Sequence, residues 1–142
     1  MRTESFPIGE VARRTGVKVP TIRYYEGIGL LPAPPRSEGN RRVYDGNDLR
    51  RLAFIRHARE LGFEVDAIRT LLSLQDDPGQ SCATADAIAR ARLAEVERRI
   101  EKLLALRGEL QRMVDHCATG KVSDCHVIET LADQTHRHGP LA

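Results

Sequence analysis

The 142-residue chain has no apolar run long enough to cross a membrane and no secretory leader, which predicts a cytoplasmic protein without a membrane partner. It has only three cysteines, Cys82, Cys117 and Cys125. An odd number without a leader argues for reduced thiols and against a disulfide frame. β-Propensity is scarce too, enough for a few short extended pieces, so the fold is expected to be mainly α. The formal net charge of +2 is small and excludes little by itself. Its distribution is uneven. Between Met1 and Arg59 twelve Arg or Lys stand against six Asp or Glu, and beyond Arg59 the acids outnumber the bases. A basic first half predicts contact with a polyanion there and not elsewhere.

What the chain does have is one long periodic stretch, from Ser81 to Cys117. Apolar residues recur in alternating four- and three-residue steps at Ala89, Leu93, Val96, Ile100, Leu103, Leu110 and Val114. Heptad spacing of this kind lays a narrow apolar seam along one helix. The same register passes through Cys82 and Cys117, and Asp86 and Arg107 are its two charged interruptions. Gly108 weakens such a helix by about 1 kcal/mol without stopping it. The rest of the chain is too short to cover the seam, so a second copy of the helix is the expected partner. At 1.5 Å per residue Cys82 and Cys117 stand roughly 50 Å apart and cannot share a ligand within one chain. Antiparallel pairing, crossing near Ile100, brings Cys82 of one chain beside Cys117 of the other. Parallel pairing sets like beside like. Either cysteine alone reads equally well as a small buried hydrophobe. Cys125, eight residues after Cys117, shifts the balance towards a ligand site.

Nearer the start, Phe6 to Gly16 predicts a short helix with Ile8, Val11 and Ala12 inward. Gly16 and Val17 make a tight turn, and a second helix opens at Pro20, where a missing N–H costs nothing. That helix carries Ile22, Arg23, Tyr24 and Tyr25 and ends near Gly27–Gly29. Two short helices, a glycine turn and a basic-aromatic second helix fit a helix-turn-helix. Leu30 to Pro35 is an extended connector. Arg36 to Tyr44 then reads as a hairpin turning at Glu38-Gly39-Asn40, with Arg36, Arg41 and Arg42 on its flanks. Three arginines on a hairpin are usually a solvated face. Directly after a helix-turn-helix they read better as a wing against DNA, since arginine grips phosphate with two bonds or enters a narrow minor groove. The expected DNA-contacting residues are Lys18, Thr21, Arg23, Tyr24, Arg36, Asn40, Arg41, Arg42 and Tyr44. A third helix from Asp48 has Leu49, Leu52, Phe54, Ile55 and Ala58 inward and Arg50, Arg51 and Arg56 outward. A fourth spans about Val65 to Leu74, with Ile68, Leu71 and Leu72 inward. After Cys117 come a loop, a short helix from Val127 to Leu131 and a polar tail holding His136 and His138.

Taken together, Ile8-Gly-Glu-Val-Ala, Thr21-Ile-Arg-Tyr-Tyr-Glu26, Gly29-Leu-Leu-Pro32 and Arg41-Arg-Val-Tyr44 resemble the MerR family of transcriptional regulators. So do Asp48-Leu-Arg-Arg-Leu-Ala-Phe-Ile and the Leu61-Gly-Phe element. The resemblance runs in order along the chain to about Leu131. It implies a winged helix-turn-helix, an antiparallel coiled-coil homodimer and a C-terminal effector site that differs by branch. It also implies a mechanism in which the dimer represses from an overlong promoter spacer. Effector binding then twists the DNA so that RNA polymerase engages both promoter elements.

The effector end narrows the branch. Only about 25 residues follow Cys117, too few to enclose an organic molecule in a pocket of several hundred Å³. Redox-sensing members hold an iron–sulfur cluster on four loop cysteines, and this loop has two. Members that sense copper, silver or gold carry serine where this chain has Cys82. Two thiolates in line suit a monovalent ion, and a third suits a soft or borderline divalent one: Zn2+, Cd2+, Pb2+ or Hg2+. The chain therefore resembles the divalent-metal branch, with Cys82, Cys117 and Cys125 as expected ligands. His116 and His126 flank the two loop cysteines and read either as further ligands or as polar loop-edge residues. Mercury takes three thiolates and no imidazole, whereas zinc prefers four mixed nitrogen and sulfur donors. Zinc, cadmium or lead sensing is the leading reading and mercury sensing the alternative.

Of another class altogether, a zinc hydrolase or metallochaperone would also use such donors. A hydrolase needs an open coordination position and a general base in a cleft, and Asp115 and Asp124 sit on a loop without one. A chaperone has no use for a basic winged helix-turn-helix. The expected organisation is a DNA-binding domain over 1–75, a dimerisation helix over 76–118, and a metal-binding loop, short helix and tail over 119–142.

Overall fold

A computed structural model describes residues 4–115, 120–122 and 125–135 of the chain. Six helices follow in order among them: α1 (Ile8–Thr15), α2 (Val19–Gly27), α3 (Gly46–Glu60), α4 (Val65–Gln75), α5 (Ala83–Asp115) and α6 (His126–Ala132). Among the described residues, β pairing is limited to two isolated antiparallel bridges, Phe6 with Tyr44 and Arg36 with Arg42. The chain forms two compact units, Met1–Ile88 and Ala89–Ala142.

In the first unit α1 packs on α2 and α3, and α3 packs on α4. The α1–α2 turn is closed by backbone and side chain together. Gly16 lies at φ 73, where a Cβ is strained, and its N–H donates to the Ala12 carbonyl at 2.9 Å. The Thr15 hydroxyl donates to the Val11 carbonyl at 2.7 Å and accepts the Val17 N–H at 3.2 Å, so its burial leaves no polar group unmet. α2 begins at Val19, one residue earlier than expected, which puts Pro20 inside the first turn. It buries Ile22 and Tyr25 against Leu30, Leu31, Leu52, Ile55, Ile68 and Leu72 of the shared core.

The hairpin turns where expected, but the left-handed residue is Asn40 at φ 60, not Gly39. Asparagine tolerates that region, and the Asn40 N–H closes the turn on the Ser37 carbonyl at 2.9 Å. The returning arm does more than flank the wing. Tyr44 and Phe6 exchange both backbone hydrogen bonds, at 2.7 and 2.9 Å, and so bind the N-terminal segment to the wing. α3 starts at Gly46, two residues before the expected Asp48. Asp45 and Asp48 form a capping box, each carboxylate accepting the other's N–H at 3.0 and 2.9 Å. Arg51, expected to point outward, instead donates from Nε to the Leu30 carbonyl at 2.8 Å and pairs with Asp76 at 3.3 Å. A backbone carbonyl just beyond α2 and an acid just beyond α4 recruit it, and neither is visible from helical spacing alone.

Among the described residues of the second unit only Met113, on α5, is buried, and it lies beside α6. α5 itself runs 33 residues unbroken through Gly108. Its apolar seam is exposed in the single chain at Leu93, Ile100, Leu103, Leu110 and Val114, with Leu103 56 % accessible. Leu103, Leu106, Leu110 and Val114, with Arg107 and Gln111, line an apolar groove of about 420 Å³. His116, Cys117, His136 and His138 lie outside the described residues.

The capping box predicts that Asp45→Ala costs about 0.5–2 kcal/mol by leaving first-turn N–H groups of α3 without their acceptor. Urea unfolding reads this as a lower midpoint at unchanged slope. A midpoint equal to that of the parent protein would show that the cap adds nothing.

Candidate nucleic-acid interface and metal-ligating residues

α2 is amphipathic in a way that separates its tasks. Ile22 and Tyr25 face the core, while Arg23 and Tyr24 stand outside, Tyr24 being 56 % exposed. The Tyr24 and Tyr25 rings are 5.9 Å apart and tilted by 49°, so the buried ring braces the exposed one. Lys18 is the exposed N-cap residue of α2, and Thr21 is half-buried in the first turn. On the wing, Arg36, Asn40 and Arg41 are exposed, and Arg36 Nη1 donates to the Asn40 carbonyl at 3.2 Å across the turn.

The basic residues of this unit divide into occupied and available groups. Glu10 accepts from Arg13 Nε at 3.1 Å and from Arg14 Nε at 2.8 Å, and those bonds hold its carboxyl down to about 2. The Arg14 guanidinium also lies 4.5 Å over the Phe6 ring. Lys18, Arg23 and Arg41 make no ion pair among the described residues. Positive charge without an internal partner therefore collects on α2 and the wing tip. That is the electrostatic pattern of a phosphate-binding surface.

Two expected contact residues sit differently. Tyr44 is fully buried, so its ring belongs to the core and not to the interface. Its hydroxyl donates to Glu26, whose second oxygen lies 3.5 Å from Arg42 Nε. Arg42 is accordingly half-buried and held. Spacing on a hairpin arm suggested surface positions for both. Alternation does place Arg42 and Tyr44 on one face, but that face turns towards α2. Glu26 was not among the expected site residues, and an acid within a basic-aromatic helix was the signal for it.

At the effector end, Cys82 is exposed just before α5, and its carbonyl accepts the Asp86 N–H at 2.9 Å. Cys125 is half-buried at the N-cap of α6. Its main chain is tied on both sides, N–H to the Val122 carbonyl at 3.1 Å and carbonyl to the Glu129 N–H at 3.0 Å. His126 Nε2 lies 3.5 Å from the Thr130 hydroxyl and lines a cavity of about 380 Å³ with Glu109, Arg112, Met113, Glu129, Thr130 and Asp133. Among the described residues no three His, Cys, Asp or Glu side chains are grouped to hold a metal. The donor chemistry nonetheless fits a soft or borderline ion, because reachable thiols sit on anchored backbone. No helix among the described residues is long and apolar enough to cross a membrane.

These features define a winged helix-turn-helix DNA-binding protein with a long helix behind it. Residues 6–75 match the family described as MerR HTH family regulatory protein, and residues 49–113 match MerR, DNA binding. The HTH-type transcriptional regulator ZntR of Escherichia coli (strain K12) is 43 % identical over 129 residues, covering 89 % of this chain and 92 % of the relative. Among solved structures, the transcription regulator PbrR691 from Ralstonia metallidurans CH34 in complex with lead(II) is 39 % identical with a TM-score of 0.77. That likeness covers 89 % of this chain and 99 % of the other. The dual function transcriptional regulator MerR from Bacillus megaterium MB1 in complex with mercury(II) is 31 % identical with a TM-score of 0.69, covering 90 % and 100 %. The chain belongs to the MerR family of transcriptional regulators, and it is not an enzyme.

The buried Tyr44 hydroxyl yields a prediction with a definite sign. Burial pushes its pKa above the ordinary tyrosine range, and the bond to Glu26 pushes the same way. The folded state thus holds this proton more tightly than the unfolded state does. The stability so gained is complete below the unfolded pKa of about 10 and is lost as pH rises through the higher folded value. Tyr44→Phe is expected to cost about 1.5–3 kcal/mol at neutral pH, the worth of a hydrogen bond to a charged group. The deficit should shrink above about pH 10. Urea midpoints measured across that range check both; a deficit that stays constant with pH would disprove the link.

Proposed function

We propose that the protein is a metal-responsive regulator that binds promoter DNA as a homodimer and activates transcription when a divalent ion binds. The observation that carries this reading is the pairing of an exposed heptad seam with thiols at the ends of the helix that bears it. Burying the remaining half of Leu93, Ile100, Leu103, Leu110 and Val114 contributes on the order of 5 kcal/mol per chain before the entropy of association. A second copy, antiparallel, covers the seam from end to end. Lys18, Thr21, Arg23, Tyr24, Arg36, Asn40 and Arg41 then meet the duplex directly, with Arg42 on the adjacent backbone, once from each chain.

Cys82 of one chain with Cys117 and Cys125 of the other forms each effector site. A bound divalent ion supplies a fixed link between these thiolates. Cys82 lies in the compact unit that holds α1 to α4, so the link bears on the DNA-reading elements. Zn2+, Cd2+ or Pb2+ is the favoured effector, and Hg2+ is the second reading. His126, already turned into the α5–α6 cavity, supports the first group, because an imidazole suits zinc and not mercury. His116 is its counterpart beside Cys117. RNA polymerase is the further partner, acting on the promoter spacer that the dimer distorts. A cytoplasmic location accords with reduced thiols and duplex binding.

Two experiments test the proposal. Arg23→Ala should weaken binding to all duplexes and lower the slope of log K against log salt by about one. An unchanged slope would remove Arg23 from the interface. For the effector site, a Cys82→Ser chain is combined with a Cys117→Ser/Cys125→Ser chain carrying a different tag. Each homodimer lacks a complete site, whereas the purified mixed dimer has one full thiolate set at one end. One tightly held Zn2+, Cd2+ or Pb2+ per mixed dimer is expected. None would overturn the site shared between chains.

A further inference from the structure

An acid on a DNA-reading helix works against the charge around it, and Glu26 is nearly buried as well, its side chain only 7 % exposed. A buried carboxylate is costly unless each oxygen has a partner. Glu26 has two, on the wing's return arm. One oxygen accepts from the Tyr44 hydroxyl and the other faces Arg42 Nε at 3.5 Å. Tyr44 is itself locked, buried by its ring and bonded through its backbone to Phe6. The carboxylate is therefore held from below and holds Arg42 from above.

The atom that Arg42 offers matters. A guanidinium is a planar fork, and a partner on Nε fixes its plane while leaving the two Nη groups to bond elsewhere. Arg42 keeps 32 % of its side chain exposed, beside Arg41, which has no internal partner among the described residues. A free arginine loses side-chain entropy when it is immobilised on phosphate. One already held at Nε has lost part of that freedom on folding.

We propose that Glu26 is a positioning residue for DNA binding. It does not touch the duplex; it aims the Nη edge of Arg42 at a backbone phosphate and fixes the wing against α2. The inference rests on the DNA-binding reading above and assigns that site a residue which charge alone would place against it. Taken as a lone charge, Glu26 should weaken DNA binding, and its removal should tighten it. Taken as a positioning group, its removal should do the reverse.

Glu26→Gln separates the two. Glutamine keeps a carbonyl oxygen for the Tyr44 hydroxyl but loses the charge that holds Arg42. The duplex-binding constant is measured against salt for the full-length parent, Glu26→Gln, Arg42→Ala and the double variant. Both single variants should bind more weakly, each with a slope lowered by about one. The double variant should lose no more than Arg42→Ala alone, since both changes remove one contact. Arg42→Lys supplies the same answer without altering Glu26, and so covers failure of the glutamine variant to fold. A lysine held by Glu26 keeps its single nitrogen at the carboxylate and does not extend to where the Nη groups stand, so its slope should also fall by about one. A parent-like slope in Glu26→Gln or in Arg42→Lys, tighter binding in Glu26→Gln, or additive losses in the double variant would each overturn the role while leaving DNA binding intact. A parent protein without salt-dependent duplex affinity would overturn the DNA-binding reading, and this inference with it.

Discussion

The DNA-binding unit depends on one buried tyrosine. Tyr44 stands where the N-terminal segment, the wing and the end of α2 meet, and each is tied to it differently. Its backbone pairs with Phe6, its ring fills the core beside Ile22 and Leu52, and its hydroxyl reaches Glu26. A hairpin closed by one isolated bridge, Arg36 with Arg42, would not stay folded in water by itself. Anchoring the base of the hairpin on a buried ring makes the wing a fixed extension of the helix-turn-helix. A surface that reads phosphates needs that fixity, because each contact counts only if it arrives with the others.

The second constraint is an absence of cover. α5 is a regular helix of 33 residues that finds almost nothing among the described residues of its own chain to pack against. Propensity makes a helix of this length possible, yet long helices in proteins owe most of their stability to burying an apolar face. Its seam carries leucine, isoleucine and valine at heptad positions, where a second helix inserts its own side chains. Dimerisation is on this account part of folding, and the protein's stability and its concentration are linked quantities. A dimer is also what a two-fold DNA site requires, so one helix serves the fold and the function together.

Much of this was legible in the residues. The order of helices, the glycine turn after α1, the proline in the first turn of α2 and the unbroken run through Gly108 follow from local rules, and α5 does run unbroken there. Local rules fail where a side chain is recruited across the fold. Arg51 looks solvent-facing by spacing and is drawn to the Leu30 carbonyl and Asp76, groups 21 and 25 residues away. Tyr44 and Arg42 look solvent-facing on the wing and turn out to face Glu26, Tyr44 fully buried and Arg42 half-buried. In each case the missing fact is which acceptor lies opposite, which no periodicity contains. The cysteines pose the converse problem. Their types and spacing suggest chemistry at once, yet among the described residues no donor set for a metal comes together.

A site shared between chains would give a reason for where Cys82 stands. Cys82 follows Asp76 by six residues, and Asp76 is bound through Arg51 to the carbonyl of Leu30, just past the end of α2. The segment between them holds Pro78 and Gly79 and is closed by a turn bond from the Gln80 N–H to the Asp77 carbonyl. A tether of this kind is short enough to transmit a displacement. On the proposed reading, fixing Cys82 to thiols of the other chain loads that tether. The strain then passes along Asp76 and Arg51 to the element that carries Arg23 and Tyr24. Neither the reading surface nor the seam has to be rebuilt for this to happen.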